Sequence, residues 1–426
     1  MIFKPFQKQA QFLKSKARIR AALAGKRGGK TEVGAIESII HLENKPGWVP
    51  NPIDPFIGVV IAPTSDMLRR LSMRKLRAYA NPFKPDFNES RQEMTWPNGS
   101  LLYGISADKP ARLEGIKANF IWLDEVFQMN EQIFLESLAR IADTKGRLWC
   151  TGSLGVQYRN PKAHWVHKHF KQKPLADSEC FEWATTENPY FPMDELERLQ
   201  ETLDPVTYRQ LFEICWDVQG TNLVYETFSA SNILNHKYDP SLETSICIDW
   251  GFAHQMAALF FQYDRKTDTV YLFDEIVSSK MTLETLWDLI SKKPYRIHSW
   301  YCDIAGNQER EQTGYSNVAW FRQPPRNVHF QFRTSAIVHG ISIVRTYLLN
   351  GKGQRKFYIN EETCPKSIDG MRNYCYQEKQ GIIQNEVPLK KDDDCVDSIR
   401  YFFVNRLDYT RNQNQFEDIN RWKFGK

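Results

Sequence analysis

Ala24-Gly25-Lys26-Arg27-Gly28-Gly29-Lys30-Thr31 is the stretch that decides the fold of this chain. Before it runs the apolar segment Ile19-Arg20-Ala21-Ala22-Leu23-Ala24, and after it Thr31 to Ile40 has helical periodicity. Strand, glycine-rich turn and helix in that order make a phosphate-binding loop. The glycines let backbone N–H groups point inward at phosphate oxygens. Lys30 is placed to reach the β- and γ-phosphates of a nucleoside triphosphate, and the Thr31 hydroxyl to ligate Mg²⁺. The usual pattern opens with glycine where Ala24 stands, a small change because Gly25 sits beside it. An ordinary glycine turn before a helix has the same local pattern, so the downstream context carries the weight.

That context is Asn119-Phe120-Ile121-Trp122-Leu123-Asp124-Glu125, an apolar strand with two acids at its end. Asp124 is expected to hold Mg²⁺ and Glu125 to polarise the attacking water. Phe56 to Ala62 and Gly146 to Gly152 read as further strands, Met67 to Tyr79 as helix, and Thr95 to Tyr103 as a hairpin around Asn98-Gly99. Together they predict an α/β fold, a parallel sheet of the P-loop NTPase type with helices on both faces. Thr151-Gly152-Ser153 is a candidate sensor of the γ-phosphate or a plain strand-to-loop turn. The expected nucleotide-binding set is Gln9, Gly25, Lys26, Arg27, Gly28, Gly29, Lys30, Thr31 and Asp124. Gln9 is the candidate reader of the adenine edge, and Arg27 the candidate for stabilising transition-state charge in cis. Arg112 is either a finger offered to a neighbouring subunit or a surface arginine.

The second half carries acids at strand ends. Ile246-Cys247-Ile248-Asp249 is one strand, Ala257 to Tyr263 a second and Thr269 to Ile276 a third. An amphipathic helix follows from Met281 to Lys292, with Thr282 as a cap, and His298 to Asp303 is the fourth strand. In an RNase H-like mixed sheet the first and fourth strands are neighbours, which brings Asp249 and Asp303 together. Asp393-Asp394-Cys395-Val396-Asp397 opens a helix, with Asp394 and Asp397 one turn apart on one face. Acids at a helix start are also favoured by the helix dipole alone. Hydrolysis of a phosphodiester needs an activated water and a stabilised leaving oxygen, and two metal ions supply both. Asp249, Asp303, Asp393, Asp394 and Asp397 are the expected ligands of Mg²⁺ or Mn²⁺, with Asp274 and Glu275 in reserve; hard cations take oxygen ligands.

The chain has 426 residues, 42% of them hydrophobic and 25% charged, which suits a globular protein of two or three domains. No apolar run reaches the length of a membrane span. The eight cysteines form no C-x-x-C pair, which argues against zinc and against a disulfide scaffold. A net charge of +5 is a mild lean toward polyanions. The expected domains are residues 1–220, an ATPase with a helical linker region from about 181, and residues 221–426, a nuclease. The loop from Arg322 to Arg333 is a candidate phosphate-backbone contact, and the polar tail beyond Asn412 is expected to be partly disordered.

With these motifs in this order, from Gln9 to Tyr401, the chain resembles the large terminase subunit of tailed bacteriophages. The resemblance rests on the Gly25–Thr31 loop, Ile121 to Glu125, Ile248-Asp249-Trp250-Gly251, and Asp393 to Tyr401. Many relatives carry His where Cys395 stands, which removes one proton shuttle here. The resemblance implies catalysis of ATP hydrolysis by Lys30, Thr31, Asp124 and Glu125. It implies DNA cleavage by Asp249, Asp303 and Asp394, assisted by Asp393 and Asp397. It also implies double-stranded DNA, a small terminase subunit and a portal protein as partners. The resemblance further implies a homo-oligomeric ring, usually a pentamer, on the prohead, and a monomer in solution. The place of action it implies is the cytoplasm of the infected host and not the mature virion. A cellular helicase-nuclease would share both chemistries, and a nucleotide-binding scaffold without catalysis is the other alternative. Glu125 argues against the scaffold, which has no use for a water-activating acid.

Overall fold

The computed structural model describes residues 3–48, 54–108, 110–155, 161–217, 222–251, 255–307, 316–379, 382–390 and 393–408. The tail beyond Asn412 therefore lies outside the described residues. The chain divides into two units, Met1–Leu196 with Val206–Gln219, and Glu197–Pro205 with Gly220–Lys426.

The first unit is built on β1 (Ile19–Ala24), β2 (Ile57–Ala62), β3 (Asp86–Asn88), β4 (Glu93–Thr95), β5 (Leu101–Ser106), β6 (Phe120–Asp124), β7 (Arg147–Gly152) and β8 (Ser178–Trp183). They form one sheet in the order β3-β4-β5-β2-β6-β7-β1-β8, parallel from β5 to β8, with β4 and β3 added antiparallel at one edge. Its central strands are near-continuous apolar runs because both faces are covered. Ala22, Val60, Phe120, Trp122 and Trp149 face the helices Gln7–Lys14, Lys30–Asn44 and Arg74–Ala80. Ala21, Ile61, Ile121, Leu123 and Leu148 face Ile133 and Phe134 of the helix Glu131–Arg140. The expected hairpin at Asn98-Gly99 is present, with Gly99 at φ +82° and its N–H bonded to the Trp96 carbonyl. The expected helix from Met67 is interrupted by a π-helical stretch, Leu68–Met73.

One buried polar group interrupts this apolar sheet face. Arg20 is fully buried, donates to the Phe12 carbonyl, and pairs with Glu37, which also approaches His41. His41 Nδ1 lies 2.9 Å from the Glu37 carbonyl and so carries the proton, while buried Nε2 has no partner. Burial, against the pull of Glu37, lowers the His41 pKa below its ordinary 6.5. A histidine held neutral when folded contributes stability above its unfolded pKa and loses it as pH falls below about 6.5. Wild type should lose more stability than His41→Gln between pH 7 and 5.5, by up to about 1.4 kcal/mol per pH unit. Parallel denaturation curves for the two proteins at both pH values would refute this.

The second unit holds β9 (Glu243–Asp249), β10 (Gln255–Asp264), β11 (Thr269–Ser279), β12 (Ser299–Cys302), β13 (Phe330–Gln331) and β14 (Phe357–Ile359) in the order β13-β12-β9-β10-β11-β14. β9, β10 and β11 are successive antiparallel neighbours, and β12 returns parallel beside β9, the adjacency expected of an RNase H-like sheet. The intervening helix, Leu283–Ser291, starts at Thr282, whose hydroxyl accepts from the Thr285 N–H. Alternation along the strands again fills two layers. Cys247, Leu259, Phe261 and Tyr301 pack toward the helices Ile337–Leu348 and Asp394–Phe403. Ile246, Ile248, Phe260 and Cys302 pack toward Leu283–Ser291 and Asn317–Arg322. A separate two-stranded ribbon pairs β15 (Tyr376–Lys379) with β16 (Ile382–Pro388). Among the described residues no helix is long and apolar enough to cross a membrane.

Two candidate active sites

In the first unit the loop between β1 and the helix Lys30–Asn44 is turned so that its carbonyls face outward. Gln9 Nε2 donates to the Gly29 carbonyl at 2.9 Å, Trp183 Nε1 to Gly28 at 2.6 Å, Asn188 Nδ2 to Arg27 at 2.7 Å and Thr185 Oγ1 to Lys26 at 2.8 Å. Four successive carbonyls held from behind leave the opposite side of the loop for anion binding, at the positive end of a helix. Gly29 at φ +75° and Arg27 at φ +64° supply the left-handed turns, and for arginine that conformation is strained. Lys26, Arg27, Gly29, Lys30 and Thr31 all line a cavity of about 1070 Å³.

Lys30 Nζ meets Glu125 Oε1 at 2.9 Å, both side chains mostly buried. The Thr31 hydroxyl lies 3.4 Å from Asp124 Oδ1. Asp124 accepts from Thr151 at 2.6 Å and from Ser72 at 2.7 Å. Burial first, then the Glu125 charge, push its carboxyl up to about 6 against those two hydrogen bonds and Lys30. Glu125 sits at φ +61°, a costly backbone for a non-glycine residue, and strain of that kind clusters at active sites. The structure thus brings Lys30, Thr31, Asp124 and Glu125 to one place. Mg²⁺ fits the donor set here, a hydroxyl beside a buried carboxylate.

Other expectations fall differently. Gln9 is buried and lines the cavity, where its carboxamide braces the loop by bonding the Gly29 carbonyl and the Phe6 N–H. Those two bonds use one of the two Nε2 hydrogens and one of the two Oε1 lone pairs. Arg112 is exposed and lines a different depression, with Asp66, Arg69 and Arg91, away from the Lys30 cavity. Thr151 and Ser153 do join the site, Ser153 through the Ala24 carbonyl at 2.7 Å. Sequence reasoning missed Ser72, Trp183, Thr185 and Asn188. Their partners lie 52 to 161 residues away in the chain, and no local pattern marks them. Arg70 and Arg74 also line the cavity, from the segment whose sequence reads simply as helix.

In the second unit, Cys302 pairs with Ile248 in the parallel β9–β12 register, so Asp249 and Asp303 emerge at the same sheet end. The helix Asp394–Phe403 is pinned beneath them. Ser398 Oγ donates to the Cys247 carbonyl at 3.0 Å, and Asn405 Nδ2, in the turn that follows, to the Cys302 carbonyl at 3.3 Å. That fixes the first turn, with Asp394 and Asp397, and Asp393 at the cap, against the ends of both strands. Burial, then the charges of Asp397, Asp303, Asp394 and Asp393, hold the Asp249 carboxyl well above the usual carboxylate range. Burial and Asp397 likewise raise Asp393.

All five aspartates therefore share one field. Among the described residues, however, no group of three ligating side chains is closed tightly enough to hold a metal ion. Asp303 Oδ1 accepts from the Gly306 N–H at 3.1 Å, and Asp397 is engaged by Arg400. The donor chemistry, all carboxylate, fits hard divalent cations.

Asp274 and Glu275 do not join this set. They lie on β11, separated from β9 by β10. Asp274 is satisfied by Lys293 and Tyr295, and Glu275 accepts from the Lys366 and Ser367 N–H groups at the start of the helix Pro365–Asn373. Cys395 is buried beside Glu275 and Ser367, and burial pushes its thiol up to about 12. In the Arg322–Arg333 loop, the Arg326 guanidinium stacks over Trp320 at 3.6 Å and donates to its carbonyl.

Comparison with known proteins gives both halves of the chain the same affiliation. A family model described as the T4likevirus-type terminase large subunit, N-terminal, matches residues 21–210. A second, the terminase RNaseH-like domain, matches residues 246–406. The large terminase subunit of Escherichia phage T5 is 20% identical over 381 residues, covering 82% of this chain and 80% of that one. That of Thermus phage G20c is 25% identical over 150 residues, 32% of this chain and 30% of the relative. The solved large terminase of a thermophilic bacteriophage has a similar fold, with a TM-score of 0.51 at 17% identity over 95% of this chain and all of that one. Matched in both halves by terminase domains and along most of its length by a phage terminase, this chain belongs to the large terminase subunits of tailed bacteriophages, the DNA-packaging motors that unite an ATPase domain with a nuclease domain.

Proposed function

We propose that this chain drives double-stranded viral DNA into proheads by hydrolysing ATP and cuts concatemeric DNA with a metal-dependent endonuclease. The observation that carries the proposal is the presence in one polypeptide of a Lys30–Glu125–Asp124 cluster on a phosphate loop and of an aspartate cluster on an RNase H-like sheet.

In the ATPase, the outward-held loop carbonyls leave N–H groups for the phosphates. Lys30, paired with Glu125 at 2.9 Å, exchanges that partner for phosphate oxygens when ATP enters. Glu125 is then released to hold a proton of the attacking water. Asp124 and Thr31 are the residues that would hold Mg²⁺, which supplies charge for the β- and γ-phosphates. Arg27, exposed on the loop, stabilises charge in cis, and Arg112 is available to an adjacent subunit. In the nuclease, Asp249, Asp303, Asp393, Asp394 and Asp397 would hold Mg²⁺ or Mn²⁺, two ions in the full site, which would supply the activated water and the stabilised leaving oxygen.

The partners proposed are double-stranded DNA, a small terminase subunit and the portal, with the motor acting as a homo-oligomeric ring in the host cytoplasm. The test uses portal-bearing proheads and linear duplex. ATP-dependent protection of the duplex from DNase is expected with wild type and is lost with Lys30→Ala, while metal-dependent nicking survives in that variant. A forked duplex should stay paired throughout. Strand separation driven by ATP would replace this reading with a helicase-nuclease.

A further inference from the structure

Arg400 brings a cation into the acidic site. Arg400 stands one turn beyond Asp397 on the helix Asp394–Phe403, and its Nη2 and Nε approach the same oxygen, Asp397 Oδ1, at 2.9 and 3.3 Å. The side chain is 7% exposed, so solvent screens the pair little. Its guanidinium also lies 4.6 Å from the centre of the Tyr401 ring.

A second observation concerns the room made for this side chain. Gly340 lies inside the helix Ile337–Leu348, where glycine costs about 1 kcal/mol relative to alanine. A Cβ at that position would stand 2.7 Å from Arg400 Cγ and 3.0 Å from Cδ. Helix propensity is thus given up where the methylene stem of Arg400 passes. The third observation is that the aspartates share a field and yet, among the described residues, do not close into a metal-holding group.

We propose that Arg400 is the resident counter-cation of the nuclease site, holding Asp397 in the metal-free protein and competing with the incoming metal for that carboxylate. The proposal rests on the nuclease reading and deepens it. The guanidinium donates from Nε to Asp397 Oδ1 and pairs with the same oxygen through Nη2, so a hard cation meets that oxygen already engaged, and the positive charge beside it repels the ion. Removing one partner of a buried pair leaves the other uncompensated. Without Arg400 the metal meets no competitor at Asp397 Oδ1 from this guanidinium. Arg400 is accordingly a positioning residue, acting through Asp397, and it sets how much divalent metal is needed to arm the nuclease.

The test is titration of the full chain with Mn²⁺, followed by calorimetry and by the electron paramagnetic resonance signal of free Mn²⁺. Melting temperatures are measured in EDTA and in Mn²⁺ alongside. Arg400→Met keeps length and loses charge. It should bind Mn²⁺ roughly 10-fold more tightly, melt lower in EDTA, and gain more from Mn²⁺ than wild type does. Arg400→Lys should stay near wild type. In an Asp397→Asn background, Arg400→Met should no longer change the affinity. If Arg400→Met does not fold, Gly340→Ala crowds the same stem and should shift Mn²⁺ affinity in the same direction. Unchanged or weaker binding in Arg400→Met, with wild-type binding that depends on Asp249, overturns the role of Arg400 alone. Absence of Mn²⁺ binding by wild type overturns the nuclease reading and this proposal together.

Discussion

Asp249→Asn is expected to abolish metal-dependent cleavage of supercoiled plasmid, by at least ~10³-fold with Mg²⁺ or Mn²⁺, while ATP hydrolysis stays close to wild type. Asp249 is singled out by its position. It ends β9, flanked by β12 and β10, and the other four aspartates all act on its carboxyl. Asparagine preserves shape but removes the charge that a hard cation requires. The same change relieves repulsion, so the variant should melt higher than wild type in EDTA and gain little from added Mn²⁺. A residue that loses function and gains stability on one substitution is strained for its task, as active-site residues commonly are. Asp303→Asn should follow the same pattern. Asp393→Asn should lose less cleavage, because Asp393 sits at the helix cap and is about half-buried. Retained cleavage in Asp249→Asn would sink the assignment of this cluster.

Much of this architecture was legible from local pattern. The phosphate loop follows from a glycine-rich turn between an apolar strand and a helix, all within short chain distance. The adjacency of Asp249 and Asp303 followed from strand order, because an RNase H-like sheet places its first and fourth strands together, as β9 and β12 lie here. What pattern could not show is how side chains spend their hydrogen bonds. Gln9 reads in sequence as a base reader, and only the fold shows that its amide also braces the loop between Gly29 and Phe6. Asp274 and Glu275 looked like spare ligands, but β10 intervenes and each already has local partners. The brace behind the loop, Trp183, Thr185 and Asn188, is carried by residues that in sequence are the end of a strand and a turn. Arg400 belongs to the Asp393–Tyr401 motif, and nothing in its spacing reveals that its stem lies against Gly340 on another helix.

Glu125→Gln is expected to lower the rate constant for ATP hydrolysis by about 10²–10⁴-fold while leaving nucleotide affinity intact or improved. Three features converge on Glu125. It follows Asp124 directly at the end of β6, it pairs with Lys30 at 2.9 Å, and its backbone is held at φ +61°. The fold tolerates that backbone because the strand must turn away while the carboxylate stays in the cavity, and glutamine keeps side-chain length, leaving the strain unchanged. Glutamine cannot take a proton from water, so turnover falls. It also holds Lys30 less strongly than a carboxylate does, so Lys30 is freer to meet phosphate, and ATP-γ-S should bind at least as well as to wild type. Lys30→Ala provides the contrast, because it removes a charge that touches both ground and transition states. In that variant affinity and turnover should fall together. Measured side by side, phosphate release and ATP-γ-S titration separate the two roles. Equal hydrolysis by wild type and Glu125→Gln would mean that another group activates the water, and the Lys30–Glu125 pair would then be structural.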